Sequence, residues 1–326
     1  MNFVNLSTSL RLLFRSSVQF SFLRMASSLV IKGYMHDIIM DNGDCRVTVK
    51  LDNGLPYDAY DFNWRGLIGL WDHCKWSDSL RYHCMAIDER FTGIDKLKSD
   101  STFVIGGMNM TISSEYYQAI KHRKPVILQI WLSHIGRVSL NYHHTEVDKE
   151  NNHILSSMDV FHVFMNKVTR KSAPLPEWYK EKYGPYAIGP MAKVMKKLEK
   201  VKEVYKYAER VQYHDIDFNN HASYKLYLKL CSNCAHGAVA DGFFTKVTDD
   251  FALYQVKHIS TLYLSETNVN DELIVDTWED ENNNDTVHFI ISKTDTGKEV
   301  FHCTIRLYSQ KNYNPYMPGL RDGKLL

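Results

Sequence analysis

Alternating apolar and polar residues predict four strands in the second half of the chain. The alternation is clearest in the last of them, where Phe301, Cys303 and Ile305 are separated by polar residues, so that one face would be buried and the other solvated. Polar segments at 281–285 and 294–297 separate neighbouring strands, as expected for hairpin turns. The predicted strands cover residues 258–265, 272–278, 286–292 and 299–308.

Two stretches have the three-and-four spacing of a helix with one buried face. Their apolar positions are Leu67, Leu70, Trp71 and Cys74 in the first half, and Tyr227, Leu230, Cys231, Cys234 and Ala238 in the second. In the second half the helix is followed by the four strands. This order predicts an α+β unit in which one apolar helix lies across a curved antiparallel sheet.

Three short similarities occur in the same order in both halves and predict a tandem repeat. They are Asp61-Phe62-Asn63 with Asp217-Phe218-Asn219, Ile112–Tyr116 with Ile259–Tyr263 (followed at equal distance by Trp131 and Trp278), and Val160-Phe161-His162 with Val300-Phe301-His302. One such match arises easily by chance, but three in order indicate two copies of one unit. Residues 171–200, with four prolines and then a lysine-rich helix pattern, would connect the copies.

The stretch just before the second helix is unusually polar. Residues 215–221 read D-I-D-F-N-N-H. In an extended segment Asp217, Asn219 and His221 would point to one side, toward the start of the helix, whose unpaired N–H groups could polarise a carbonyl. The structural alternative is that Asn219 or Asn220 simply caps the helix.

This motif resembles that of the hotdog-fold thioesterases, most closely the plant acyl-ACP thioesterases, within the superfamily that also contains 4-hydroxybenzoyl-CoA thioesterases. In that family D-x-N-x-H precedes the central helix, and a glutamate follows on a later strand, in a stretch similar to 262–267 here. The resemblance implies that Asp217, Asn219, His221 and Glu266 form a catalytic site. It also implies two tandem hotdog units, each a sheet wrapped around a helix, forming an intramolecular double hotdog. The family often has cysteine after the glutamate, but Thr267 stands here and excludes a thiol nucleophile at that position.

The activity implied by the resemblance is hydrolysis of a fatty acyl thioester, on acyl carrier protein or coenzyme A, to free fatty acid and thiol carrier, with no cofactor or metal. One alternative is a double-hotdog enoyl-thioester hydratase or dehydratase, whose D-x-N-P-x-H motif has two residues between Asn and His where only Asn220 stands here. Another is a non-catalytic acyl-binding or scaffold protein, which would not need Asp217 and Glu266.

Two other constellations indicate structure rather than chemistry. Cys231 and Cys234 form a C-x-x-C, but they lie within the helix stripe and no second pair accompanies them, so neither zinc nor redox chemistry is expected. Tyr142, His143, His144 and Glu146 are interpreted as a strand end with one solvated face.

The repeat predicts a division of labour between the units. The predicted boundaries are 29–170 for a first hotdog with a degenerate site, 171–200 for a linker, 201–312 for the catalytic hotdog and 313–326 for a tail. Aligning the copies places Arg65 opposite His221 and Ala119 opposite Glu266, and neither arginine nor alanine can act as a base near neutral pH. The first unit would then be structural and pocket-forming, and the protein a monomer or a homodimer of double hotdogs.

Composition narrows the possible partners. The 39 Lys and Arg residues nearly balance 38 Asp and Glu residues without a basic run, so nucleic acid is not an expected partner. The six cysteines are scattered through apolar stretches, which favours free thiols in a reducing compartment. No run of 18 apolar residues occurs, so no transmembrane segment is expected.

The N-terminal segment has the composition of a transit peptide. Its first 36 residues contain four basic residues and seven serines and no acid. Residues 1–28 are therefore predicted to direct the chain to the mitochondrial matrix. A plastid is the alternative destination, and translation from Met25 would leave the protein in the cytoplasm.

Overall fold

The computed structural model describes residues 37–40, 45–55, 68–74, 76, 80–81, 97, 100–217, 220–311, 320–321 and 324–325. One large antiparallel sheet with few helices dominates these residues, which confirms the predicted α+β class. The predicted transit peptide lies outside the described residues. So do Asp61-Phe62-Asn63, Leu67 and Cys84.

Among the described residues, six strands and two complete short helices belong to the first half. The strands are β1 (Asp37–Met40), β2 (Arg46–Leu51), β3 (Ser101–Ile112), β4 (Val126–Ile135), β5 (Ser139–Asp148) and β6 (Ile154–Asn166). Helix α1 (Ser114–Lys121) lies between β3 and β4, and α2 (Glu177–Tyr183) follows β6. Of the predicted first helix, residues 76, 80 and 81 are helical and 70–74 form turns.

The second half matches the strand predictions closely. Its elements are β7 (Tyr205–Arg210), α3 (Tyr224–Ala240), β8 (Tyr254–Tyr263), β9 (Glu272–Glu279), β10 (Thr286–Lys293) and β11 (Glu299–Lys311). Single 3₁₀ turns occur at 184–186, 213–215 and 251–253. A separate two-stranded pair, β12 (Leu320–Arg321) and β13 (Lys324–Leu325), lies near the C-terminus.

Strands β1 to β11 form one antiparallel sheet in the order β1-β2-β4-β5-β6-β3-β8-β11-β10-β9-β7. At its centre β3 pairs with β8, with Gly107 opposite Leu262 and Thr111 opposite His258. The strands on the two sides of this pair follow the same order, because β6, β5, β4 and β2 correspond to β11, β10, β9 and β7. The two copies of the repeat are therefore joined edge to edge in one continuous sheet.

Cross-strand registers identify equivalent positions in the two copies. Stepping outward from the central pair Asn109 and Ser260, the register passes through Asp159, His143 and Trp131 on one side and Thr304, His288 and Trp278 on the other. The Trp–His ring pairs also correspond, with centroids 4.6 Å apart in the first copy and 5.5 Å apart in the second. The predicted match of Trp131 with Trp278 is confirmed.

The two other similarities that fall on described residues join positions that are not equivalent. Ile112–Tyr116 spans the end of β3 and the start of α1, whereas Ile259–Tyr263 lies wholly in β8. Val160 and Val300 lie on equivalent strands, but the register makes Val160 equivalent to Ile305. Similar tripeptides recur on such strands because alternate positions face the same kind of core.

Helix α3 packs on one face of the second half of the sheet. All five apolar positions predicted for its buried face are buried: Tyr227, Leu230, Cys231, Cys234 and Ala238. The Tyr227 ring stacks on Phe301 at 5.0 Å, and the Cys234 thiol donates to the Val275 carbonyl at 3.5 Å. In the first half, Leu70 and Cys74 are likewise buried, and Cys74 lies 3.6 Å from the Met108 sulfur.

The lysine-rich end of the connector is not helical, contrary to the prediction. Residues 191–200 have no regular secondary structure and cross the face of the sheet opposite α3. The Asn109 side chain donates to the Lys193 carbonyl, the Leu198 amide donates to His302 Nδ1 at 3.0 Å, and Lys200 pairs with Asp276. Side chains of the sheet thus satisfy connector groups that a helix would have bonded internally.

The described cysteines are buried free thiols: Cys45, Cys74, Cys231, Cys234 and Cys303. Burial raises the pKa of the Cys234 thiol to about 12, so this thiol is protonated near neutral pH. Within the described part of the chain, no helix is long and apolar enough to cross a membrane.

Buried histidines make the fold sensitive to acid. His73 is 1% exposed and packs against the Tyr116 and Tyr117 rings, and its Nδ1 has no hydrogen-bond partner among the described residues. Burial lowers its pKa from 6.5 to about 3. The unfolded chain therefore binds a proton below pH 6.5 that the folded chain excludes. The free energy of unfolding should fall as the pH falls from about 6.5 toward 3.

We predict that His73→Phe weakens this dependence. Between pH 7.5 and 5.5 the wild type should lose about 1.4 kcal/mol more unfolding free energy than H73F, measured by urea denaturation at both pH values. His236→Phe, at an exposed position on α3, is the control and should behave as the wild type. Equal pH dependence in wild type and H73F would show that His73 is protonated in the folded state.

Candidate functional site

The predicted site residues lie where the second unit meets the first. Asp217 and His221 belong to the segment between the 3₁₀ turn at 213–215 and α3, and Glu266 follows the end of β8. The fourth residue, Asn219, lies outside the described residues.

Asp217 and His221 are brought together by a tight turn, not by the extended segment that the sequence suggested. The Asp217 amide donates to the His221 carbonyl at 2.9 Å, and the Asn220 amide donates to the Asp217 carbonyl at 3.0 Å. Ile216 and Ala222 form the next antiparallel bridge outward. Asn220 has φ of 65°, the left-handed conformation that asparagine tolerates better than most residues. The alternation argument is therefore wrong, and Asp217 lies opposite His221 because the chain reverses.

The alternative that Asn219 or Asn220 caps the helix is also wrong, because another residue is the cap. Helix α3 begins at Tyr224, and its N-cap is Ser223, whose hydroxyl accepts from the Lys225 amide. The amides of Ala222 and Ser223 donate to the carbonyls of Thr267 at 2.9 Å and Asp215 at 2.8 Å. Neither Asn220 nor His221 caps the helix. The amides of Ala222 and Ser223 are already bonded within the fold.

His221 and Glu266 form the central contact of the site. The His221 Nε2 atom lies 3.0 Å from Glu266 Oε2, and each side chain is about one-third exposed, at 32% and 36%. The bond between the Ala222 amide and the Thr267 carbonyl holds the two segments side by side. Thr267 itself is fully buried, with its hydroxyl 3.0 Å from the Tyr227 hydroxyl, so it anchors the segment rather than facing the site.

Arg170 is a site residue that the sequence did not suggest. It belongs to the first unit, in the hairpin loop after β6, and its guanidinium contacts the same Glu266 oxygen as His221 does. No motif marks it, since a contact across 96 positions of the chain depends on how the strands pair.

In the His221–Glu266 pair, one polar atom of each side chain makes the contact and the other does not. Both contacts of Glu266 reach Oε2, whereas no described side chain contacts its Oε1. On His221, the Nε2–H can donate to Glu266, which leaves Nδ1 as a proton acceptor. A partly exposed carboxylate–imidazole pair of this kind can remove a proton from a bound water molecule.

A small apolar cleft lies between the two units. Its volume is about 10 Å³, and it is lined by residues of both units: Ile105, Met108, Met158 and Val160 of the first, and Tyr224 and Tyr263 of the second. Tyr224 directly follows the helix cap, and Tyr263 ends β8 just before Glu266. An acyl chain could enter only if lining side chains move, and the two methionines are the most adaptable of them.

Of the positions predicted for the first unit, Ala119 is the one that lies among the described residues. Asp61, Asn63 and Arg65 lie outside the described residues. Ala119 is buried on α1 and is not equivalent to Glu266, because the register instead places Glu115 there, six residues beyond Asn109 as Glu266 is beyond Ser260. Helix α1 starts at this point, and Glu115 lies on its exposed side, 3.6 Å from His153.

Tyr142, His144 and Glu146 do not lie at a solvated strand end as predicted. They point to the buried face of β5, with the Glu146 carboxylate accepting from the Ser156 hydroxyl at 2.8 Å, while His143 points to the other face and bonds Asp159 at 2.8 Å. Among the described residues, no group of three or more His, Cys, Asp or Glu side chains could hold a metal ion.

Comparison with known proteins places this fold. No protein-family model and no curated protein sequence matches the chain. Among solved structures, the 12:0-ACP thioesterase from Umbellularia californica superposes with a TM-score of 0.62 at 14% identity, covering 82% of this chain and 99% of that one. The acyl-ACP thioesterase from Bacteroides thetaiotaomicron gives 0.60 at 14% identity, covering 82% and 100%. The chain therefore has the double-hotdog fold of thioesterases, as its sequence motif indicated.

Proposed function

We propose that the protein is a thioesterase that hydrolyses fatty acyl thioesters to a free fatty acid and a thiol carrier. The contact between His221 and Glu266, whose Nε2 and Oε2 atoms lie 3.0 Å apart, is the observation that carries the proposal. The two structures that it resembles at 14% identity, a 12:0-ACP thioesterase and an acyl-ACP thioesterase, support the reaction class.

In the proposed mechanism, the dyad activates a water molecule. Glu266 accepts the Nε2–H of His221 and so keeps the Nδ1 lone pair available as the base. As Nδ1 takes a proton, the water oxygen bonds to the thioester carbonyl carbon and forms a tetrahedral oxyanion. Collapse of this intermediate breaks the carbon–sulfur bond, and the imidazolium returns its proton to the departing thiolate.

Asp217 and Asn219 complete the proposed constellation. Asp217 lies opposite His221 across the turn, where its carboxylate favours the imidazolium that forms in the transition state. The amide of Asn219 is assigned to the carbonyl oxygen, as a neutral donor suits a developing oxyanion. Removal of either would lower the rate of the chemical step more than substrate binding.

The carrier of the acyl group is proposed to be acyl carrier protein or coenzyme A, both of which are anionic. Basic side chains flank the segment around Glu266: Arg170 contacts Glu266 itself, and Lys298 donates to the Ser265 hydroxyl at 3.0 Å. The acyl chain would extend past Tyr224 and Tyr263 into the cleft between the units.

The first test is thiol release from acyl-CoA and acyl-ACP substrates. Glu266→Gln, Asp217→Asn and His221→Gln should each lower kcat by at least about a hundredfold, since each removes a proton-transfer or charge-stabilising group. Glu272→Gln is a matched control because Glu272 is an exposed strand acid paired with Arg210 at 2.7 Å, and His214→Gln controls for the histidine. Wild-type kcat in E266Q and H221Q, or wild-type hydrolysis absent on both carriers, would refute the proposal.

A second experiment tests whether only the second unit is catalytic. Asp61→Asn should leave turnover nearly intact, whereas Asp217→Asn should abolish it, because the acid equivalent to Glu266 faces solvent on α1. Thermal unfolding of both variants controls for misfolding. Comparable losses of kcat in two folded variants would contradict the single-site assignment.

We also propose import into mitochondria, on the composition of the N-terminal segment. N-terminal sequencing of the protein isolated from cells should show removal of about the first 25 to 30 residues. An intact N-terminus on protein in the cytosol would contradict this proposal, and a start at Met25 would explain cytosolic protein of shorter length.

A further inference from the structure

The guanidinium of Arg170 is the contribution of the first unit to the candidate site. Arg170 and Glu266 form an ion pair between units, and His221 contacts the same carboxylate oxygen. The pair thus links the loop after β6 to the segment after β8.

Sheet topology explains why these distant residues meet. Strand β3 lies between β6 and β8 and is antiparallel to both. Strands β6 and β8 therefore run parallel, and their C-terminal ends lie on the same side of the sheet. Two strand spacings separate them, about 10 Å, a gap that a long side chain can bridge from one loop to the other.

The loop that carries Arg170 is tightly held. The Asn166 side chain accepts from the amides of Val168 at 3.0 Å and Thr169 at 2.8 Å, while the Arg170 amide donates to the Asn166 carbonyl at 2.9 Å. Arg170 itself has φ of 56°, a left-handed conformation better suited to glycine or asparagine. The backbone conformation gives no reason for arginine here, so the reason lies with its side chain.

The Glu266 segment is equally fixed on its own side. The Thr267 carbonyl accepts from the Ala222 amide at 2.9 Å, and the Ser265 amide donates to the Val300 carbonyl at 3.3 Å. With the backbone held on both sides of Glu266, the remaining freedom is the rotation of its side chain. His221 and Arg170 both restrain that rotation through Oε2.

We propose that Arg170 is a positioning residue that holds the Glu266 carboxylate against His221 and leaves Oε1 directed at the bound substrate. The inference rests on the proposed thioesterase function and adds to it a requirement for the first unit. The catalytic arrangement is complete only when the two units share one sheet.

The ion pair contributes little to stability, because its partners are 42% and 36% exposed. Exposed pairs of this kind typically contribute between 0 and about 1 kcal/mol. Its effect should therefore appear in the geometry of the site and not in the melting temperature. Arginine also offers a planar donor fork that lysine cannot reproduce.

The kinetic test compares Arg170→Gln with Lys171→Gln, which removes the same charge from the next residue of the same loop. R170Q should lower kcat by about tenfold to a hundredfold with KM little changed, because misplacement of a catalytic group by about 1 Å has effects of this size. K171Q should retain wild-type kcat, and R170K should recover part of the loss. In the E266Q background, R170Q should have no further effect.

Equal kcat in R170Q and K171Q would overturn the proposal, as would a loss confined to KM, which would assign Arg170 to carrier binding. A melting temperature of R170Q well below that of K171Q would show a structural role instead.

Crystal structures of wild type, R170Q and K171Q test the positioning without reference to activity. In R170Q the Glu266 carboxylate should turn away from His221, and in K171Q the contact should remain near 3.0 Å. A Glu266–His221 contact preserved in R170Q would overturn the proposal. If the wild type released no thiol from either carrier, the proposed function would fail while this structural result still decided the role of Arg170.

Discussion

The pairing of β3 with β8 is the interaction on which the rest of the molecule depends. It joins the two repeat units through main-chain hydrogen bonds between residues 107–111 and 258–262, and so makes one sheet of eleven strands. The approach is close enough to constrain the sequence, because a Cβ atom on Gly107 would lie 2.9 Å from the Thr261 carbonyl oxygen. A larger residue there would force the central strands apart.

Everything that combines the two units follows from this pairing. The apolar cleft takes its lining from β3 and β6 on one side and from Tyr224 and Tyr263 on the other. The loops after β6 and β8 leave the sheet at one edge, where Arg170 meets Glu266. On the opposite face the connector crosses both units and is held by Asn109 and His302, which adds a second link across the same boundary.

The two units share a strand order but differ where the chemistry would lie. After β8 the chain continues in an extended segment that carries Glu266 beside His221, whereas after β3 it enters α1, which carries Glu115 to the surface. A duplicated fold can thus keep the strand order in both copies, while the acid that follows the central strand lies beside His221 in one copy and on an exposed helix face in the other. The first unit contributes walls of the cleft and, through Arg170, one charged contact.

The sequence by itself determined the features that depend on local periodicity. Alternation with period two predicted four of the five strands of the second unit to within a few residues, and the helical stripe predicted five of the eight buried positions of α3. These signals are readable because a side chain's direction follows from backbone geometry a few residues long. The pairing of His221 with Glu266 was implied instead by the resemblance to hotdog thioesterases, and the fold brings the two side chains into contact.

Only the tertiary structure decided the features that depend on pairing between distant strands. Register showed that Val160 is equivalent to Ile305 and that Glu115, not Ala119, is the counterpart of Glu266. The lysine-rich end of the connector was predicted as a helix, but it has no regular secondary structure and bonds to side chains of the sheet instead. Arg170 could not be found because its role comes from two parallel strands ending at one edge, and no short stretch of sequence encodes which strands will be neighbours.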